Sequence, residues 1–187
     1  MIENIKKLTY RLIKEIGEDP SRDGLIKTPD RVARAWNFFS EGYTANIDDI
    51  VNEAIFEDDC SEMVVVRDIE FFSMCEHHMI PFFGRCHVGY LPNNKVIGLS
   101  KIPRIIDVFS RRLQIQERLT GLVAKTIEDL LDPIGVGVVM EGRHLCMQMR
   151  GVEKQNSFAT TSAMLGQFRD SVETRTEFLS IISKEKF

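Results

Sequence analysis

Hydrophobic positions along this chain follow two different periods. Ile2, Ile5, Leu8, Leu12 and Ile16 recur every three or four residues and Gly17 follows, which predicts an amphipathic helix over residues 2–16 with its stop signal in place. The spacing returns in Val32, Ala35, Trp36 and Phe39, where Thr28-Pro29 reads as an N-cap and a first-turn proline and the helix is expected to end near Gly42. Residues 43–62 lose this period and carry Asp48, Asp49, Glu53, Glu57, Asp58 and Asp59, so they read as an acidic surface connection.

Past residue 62 the period shortens to two. Met63–Arg67 with Ile69–Phe72, and then Phe83–Leu91, predict two antiparallel strands joined through Cys75–Pro81. A turn at 92–94 and a short strand over 96–99 lead to Ser100, a candidate N-cap for a helix running to about Arg112. A second helix is expected from Ile115 to Leu131, stopped by Asp132-Pro133. Val136–Glu141 and Leu145–Val152 then read as strands, Ser157–Met164 as an extension of the sheet, and Glu173–Ile182 as a helix. The resulting order ββααββ predicts an α+β domain over residues 61–187, an antiparallel sheet with two helices on one face, preceded by a helical segment and connection over 1–60. Nothing in that order covers both sheet edges, so a homo-oligomer is expected.

Composition narrows the function classes. A chain of 187 residues, 43% apolar, suits one domain with a full core. Four Cys, no apolar leader and no run long enough to span a bilayer point to a reducing compartment and a cytoplasmic location. A net charge of −4 favours neither nucleic acid nor an acidic membrane, so an anionic ligand has to be met by a local basic cluster.

The candidate chemistry is concentrated in residues 73–90, which hold Cys75, Cys86, His77, His78 and His87. Cys75 and His78 can reach one ion from a single turn, and thiolate plus imidazole favours zinc. Alone, such a pair is a weak signal, because small apolar pockets often hold a free Cys. A second stretch strengthens it: residues 144–150 alternate polar and apolar, so a strand there would aim His144, Cys146, Gln148 and Arg150 the same way. His77, Cys86, His87, His144 and Cys60 all remain possible fourth ligands. The choice matters, since four protein ligands make a closed structural site and three leave the open position of a hydrolytic metal. Elsewhere, Lys101 and Arg104 fall in a first helical turn, where the dipole disfavours cations, so that a phosphate ligand and local pairing with Asp107 are equally good explanations. Arg31 and Arg34, on the flank of the second predicted helix, read by themselves as a solvated face.

Four motifs in order complete a pattern: Cys75-Glu76-His77-His78 with Pro81-Phe82 and Gly84; Gly98-Leu99-Ser100-Lys101-Ile102 with Arg104; Gln114 with Gln116-Glu117-Arg118-Leu119-Thr120; and His144 with Cys146-Met147 and Met149-Arg150-Gly151-Val152. Together they resemble the GTP cyclohydrolase I family, from about Gly24-Leu25-Ile26-Lys27-Thr28-Pro29 to Phe178-Leu179. The resemblance implies the tunnelling fold and a decamer of two pentameric rings with active sites at subunit interfaces. It implies Zn2+ on Cys75, His78 and Cys146, with water in the fourth position, and GTP as substrate. The implied reaction opens the guanine imidazole ring, releases C8 as formate and closes to 7,8-dihydroneopterin triphosphate, the first step of folate and pterin synthesis.

Roles follow by the same resemblance. His77 is the implied general acid at N7, His144 the second proton-transfer residue and Ser100 the group aiding the ribose rearrangement. Glu117 would accept from N1–H and the exocyclic amine of guanine, with Gln116 beside it. Lys101, Arg104 and Arg150 match the triphosphate cations, with Arg31 and Arg34 contributing from a neighbouring subunit. Three places depart from the family's pattern: Pro103 between two of those cations, Gly142 where a small alanine is usual, and 155–159, which is only loosely similar. Two other readings stand beside this one, a zinc-stabilised binding module and a related enzyme acting on another purine or pterin.

Overall fold

In the computed structural model, which describes residues 1–183, the alternating stretches form a five-stranded sheet in the order β5-β2-β3-β6-β7. β2 (Val64–Cys75) and β3 (Pro81–Leu91) pair antiparallel from Val64↔Tyr90 to Met74↔Pro81. β6 (Gly135–His144) lies along the whole of β3, and β7 (Ala159–Gly166) along β6, both antiparallel. β5 (Leu113–Gln114) runs parallel to β2 and covers only Met74 and Cys75, so the sheet is mixed rather than purely antiparallel. The acidic stretch is more ordered than its composition predicts. It holds α3 (Ile47–Val51), whose Asn46 side chain accepts from the Asp48 N–H, and β1 (Ile55–Glu57), paired with β4 (Lys95–Ile97) in a separate ribbon.

One face of the sheet is buried under α4 (Lys101–Ser110) and α5 (Gln116–Leu131). Phe82, Cys86, Val88 and Tyr90 of β3 and Val136, Val138 and Met140 of β6 meet Ile102, Ile105, Ile106, Leu119, Val123 and Ile127 there. Each such side chain contributes about 1.5–3 kcal/mol on burial. The opposite face is not bare, which corrects the single-face expectation. α7 (Gln167–Asp170) and α8 (Val172–Ser183) bring Phe168 and Phe178 onto it, where they pack with Val139. A Cβ at Gly137 would lie 2.4 Å from Phe168 and one at Gly89 2.8 Å from Phe178, so the docking surface is made by side chains that are missing.

Other expectations also change. The chain does not continue as a strand over 145–152: β6 ends at His144 and a helical turn, α6 (Leu145–Gln148), follows at once. α2 (Thr28–Phe39) starts on Thr28 with Lys27 at the cap, and a 3₁₀ turn over Glu41–Tyr43 follows it. Ser100 precedes α4 but makes no capping hydrogen bond. α1 (Ile2–Glu15) buries Thr9 and Ile13, leaving Leu8, Leu12 and Ile16 exposed. Among the described residues, neither the outer edge of β7 nor that of β2 ahead of Met74 has a strand partner.

Candidate metal centre and active site

The Cys75–Ile80 turn is closed by its own backbone. The Cys75 N–H donates to the Ile80 carbonyl at 3.0 Å and the Met79 N–H to the Cys75 carbonyl at 2.8 Å. Met79 takes φ 53°, the left-handed conformation that lets so short a loop return to β3. At its start, the Glu76 N–H donates to the Gln114 carbonyl, and the Glu76 carboxylate pairs with both Arg118 guanidinium nitrogens. The Arg118 hydrogen bond holds the Glu76 carboxyl below its usual range. The turn buries the Cys75 side chain and exposes both imidazoles, with Nδ1 of His77 and of His78 at 3.9 and 3.8 Å from Cys75 Sγ.

Antiparallel pairing carries β6 back to the same end of the sheet, where His144 lies opposite Phe82. Their rings stack at 4.6 Å between centroids and 5° between planes. His144 Nε2 lies 2.9 Å from Gln116 Oε1, and burial lowers the His144 pKa while the Glu117 charge opposes that shift. One helical turn on, Cys146 completes a group with Cys75 and His78 in which all ligand atoms lie within 4.8 Å of one another. His144 and Cys146 thus meet the site through a strand end and a helical turn, not by sharing a strand face.

The donor set fits a zinc ion. Ligands about 2.0–2.3 Å from a tetrahedral centre stand about 3.6 Å apart, close to the 3.8 Å between Cys75 Sγ and His78 Nδ1. Burial pushes the Cys146 thiol pKa up, and neighbouring Cys75 pushes it further. A divalent cation would relieve that penalty on the Cys146 thiolate. Among the described residues no fourth His, Cys, Asp or Glu joins the group. Cys86 and His87 lie in mid-β3: burial raises the Cys86 pKa and lowers that of His87, whose Nδ1 accepts from the Asp68 N–H. Cys60 lies in the acidic connection, where its amide donates to the Asp58 carboxylate.

The remaining candidates divide into two groups. Glu117 is exposed in the first turn of α5 near His144, and Arg150 acts electrostatically on Cys146. Gln116, expected to face a substrate, is 2% exposed, and its amide nitrogen donates to the Met140 and Ala159 carbonyls and to Thr161. Ser100, Lys101 and Arg104 sit at the opposite end of α4 from Ser110, whose carbonyl accepts from Ser73 beside Cys75. At 1.5 Å per residue, Lys101 is about 14 Å up the helix from that end, and its ammonium bonds the Ile50 carbonyl. Arg31 and Arg34 are exposed on α2, with Arg34 paired to Asp30. Sequence reasoning missed Phe82 as the support under His144, although the Pro81-Phe82 pair beside the ligand turn was the available signal.

Comparison with known proteins agrees along the chain. The sequence model of the family described as GTP cyclohydrolase I matches residues 5–183. The GTP cyclohydrolase 1 of Leptospira biflexa is 58% identical over 178 residues, 95% of this chain and 97% of that one. That of Methylococcus capsulatus is 56% identical over 181 residues, covering 97% and 98%. That of Rattus norvegicus is 54% identical over 181 residues, 97% of this chain and 75% of the longer rat protein. With relatives so similar along nearly its whole length, the chain belongs to the GTP cyclohydrolase I family and is an enzyme of that type.

Proposed function

We propose that this enzyme hydrolyses the imidazole ring of GTP, releasing C8 as formate and yielding 7,8-dihydroneopterin triphosphate, with Zn2+ held by Cys75, His78 and Cys146. The observation that supports it most is the gathering of two thiols and one imidazole, with no fourth such ligand among the described residues, the protein half of an open hydrolytic site. When bound, zinc supplies Lewis acidity that lowers the pKa of water from about 15.7 towards about 7.

The chain's own residues do the rest. His77, exposed beside the ligands, protonates N7 and makes C8 a better electrophile. His144, whose pKa burial lowers, offers in its neutral form one nitrogen to donate and one to accept, as proton transfer during ring opening requires. Glu117 accepts the N1–H and the exocyclic amine of guanine side by side. Arg150, Lys101 and Arg104 hold the triphosphate, Arg31 and Arg34 add charge from α2, and Ser100 assists the ribose rearrangement.

The separation along α4 bears on assembly. Ser100, Lys101 and Arg104 serve the Cys75 end only if a neighbouring subunit supplies them. Among the described residues, the edge of β7 and that of β2 ahead of Met74 lack strand partners, which favours such contacts. We therefore read the active enzyme as a homodecamer of two pentameric rings with sites between subunits, in the cytoplasm. Residues 61–187 carry the catalytic elements and residues 1–60 contribute only Arg31 and Arg34. Among the described residues no helix is long and apolar enough to cross a membrane.

The test is formate release and pterin fluorescence from purified protein given GTP, before and after chelation. Formate appearing one-to-one with the oxidised pterin, and ceasing on chelation until zinc is restored, is the expected result. Stoichiometric zinc with GTP untouched would transfer the site to a structural role or to another substrate.

A further inference from the structure

We infer that Thr120 and Thr161 are positioning residues for Glu117: with Gln116 they close a ring of hydrogen bonds that holds the peptide group from which Glu117 projects. The inference rests on the proposed role of Glu117 in reading guanine. α5 starts with Ile115 at its N-cap and without a side-chain capping bond, so local sequence does little to secure its first turn. The ring secures it from the sheet instead.

The direction of every bond follows from what each atom can do. Thr120 Oγ1 lies 2.8 Å from the Gln116 carbonyl, which only accepts, so the Thr120 hydroxyl donates there and uses its one hydrogen. In the 2.6 Å contact between Thr120 Oγ1 and Thr161 Oγ1, the donor is then Thr161. Gln116 Nε2, identified by the Met140 and Ala159 carbonyls at 3.1 and 2.9 Å, lies 3.1 Å from Thr161 Oγ1 and donates to it. The path runs from the Gln116 amide through Thr161 and Thr120 and returns to the Gln116 carbonyl. Each hydroxyl donates once and accepts once, an arrangement in which neighbouring hydrogen bonds strengthen one another.

The Gln116 carbonyl belongs to the peptide that joins Gln116 to Glu117. One end of the ring therefore fixes that peptide plane, while the other is tied through Met140 to β6 and through Ala159 and Thr161 to β7. Gln116 and Thr120 are 2% and 1% exposed, so water does not compete for these bonds. Glu117, the next residue, is exposed. A carboxylate that accepts two donors of one base side by side needs a fixed direction, and a buried anchor one peptide away supplies it. None of the three ring residues is a proposed zinc ligand, so their effect falls on recognition of the base and not on the metal.

The test uses the zinc-loaded enzyme and reads kcat and KM for GTP, metal content, and the inhibition constant of inosine triphosphate, which lacks the exocyclic amine. Thr120→Val and Thr161→Val are each expected to raise KM about three- to tenfold, the worth of one hydrogen bond, and to narrow the preference for GTP over inosine triphosphate by a similar factor. kcat at saturating GTP should stay within about twofold of native, with bound zinc unchanged. The double variant should cost no more than either single one, because either already opens the ring. Thr120→Ser and Thr161→Ser keep the hydroxyls and should keep native KM and preference. The inference is overturned if the valine variants keep native KM and preference, if KM and the inhibition constant rise together, if the serine variants fall with the valines, or if the two valine effects multiply. Should Thr120→Val, at a buried position, fail to assemble, Thr161→Val at a half-buried one decides by the same readouts. Glu117→Ala separates the two levels: native KM and preference there overturn the guanine-reading role and this inference with it, whereas a large loss there beside native Thr161→Val overturns the positioning role alone.

Discussion

The two halves of the proposed metal-binding group are held in place by different means. Cys75 and His78 ride on a turn whose own backbone closes it, through Cys75 N–H to Ile80 and Met79 N–H to Cys75. Cys146 rides on α6, a helix of four residues, far too short to be stable alone. Distant groups hold that helix: the Gln148 amide donates to the Gln155 and Ser157 carbonyls, and the Lys154 N–H to that of Met147. A chelate with one preformed half and one supported half binds as tightly as the supported half allows. Control over metal affinity should therefore lie in the loop after β6 more than in the motif that names the site.

The largest effects come from the ligands themselves and should be equal in both halves. His78→Ala and Cys146→Ser are each expected to lose bound zinc and about three orders of magnitude in turnover, several kcal/mol of lost electrostatic assistance. Metal analysis beside the pterin assay checks this. Chelation of the native enzyme should then separate the halves. Amide hydrogen exchange at Cys75 and Met79 should keep its protection while Met149 and Lys154 exchange faster. Equal loosening of both segments would break the comparison.

This difference also explains what was legible in the sequence. The Cys75-x-x-His78 pair and the strands around it are local features, so alternation and turn signals placed them within a few residues. Residues 144–150 alternate as well, yet fold as a strand end and a helical turn, because so few alternating positions fit either one once distant contacts decide. The helix over Glu173–Ile182 was legible and is α8, but its docking on the second face was hidden for a related reason: Phe168 and Phe178 dock on Gly89 and Gly137, and absent side chains leave no periodic signal. The amide of Gln116, which joins α5 to β6, β7 and His144, is a tertiary fact with no local trace. The three proposed ligands stood out because thiols and imidazoles are rare. Their arrangement did not.

A middle-sized effect is expected from support without ligation. Gln148→Ala removes both side-chain bonds that anchor α6, leaving the Lys154 N–H to Met147 carbonyl bond, and should weaken zinc binding about tenfold to a hundredfold, as loss of outer support commonly does, with kcat near native once zinc saturates. Arg118→Ala removes the ion-pair partner of Glu76 from the preformed half. That pair is half exposed, and affinity should stay within about twofold. Titration against a competing chelator measures both. A larger cost at Arg118 than at Gln148 would reverse the assignment of the two halves.

The smallest effect tests whether the preformed half owes its shape to backbone alone. Met79 holds φ 53° and is 51% exposed, so it contributes little packing and bears the cost of the left-handed region. That cost is about 1–2 kcal/mol for an L-residue, and glycine would remove it. Glycine also adds about 0.5–1 kcal/mol of unfolded-chain freedom, of opposite sign. Met79→Gly should therefore stabilise against unfolding by about 0–1.5 kcal/mol, with zinc affinity unchanged. Met79→Val, branched at Cβ and poorly tolerated at positive φ, should instead destabilise by about 1–2 kcal/mol. Urea unfolding of the zinc-loaded variants decides. If glycine destabilises as much as valine, side-chain contacts hold the turn, and the ligand pair it carries depends on its surroundings as Cys146 does.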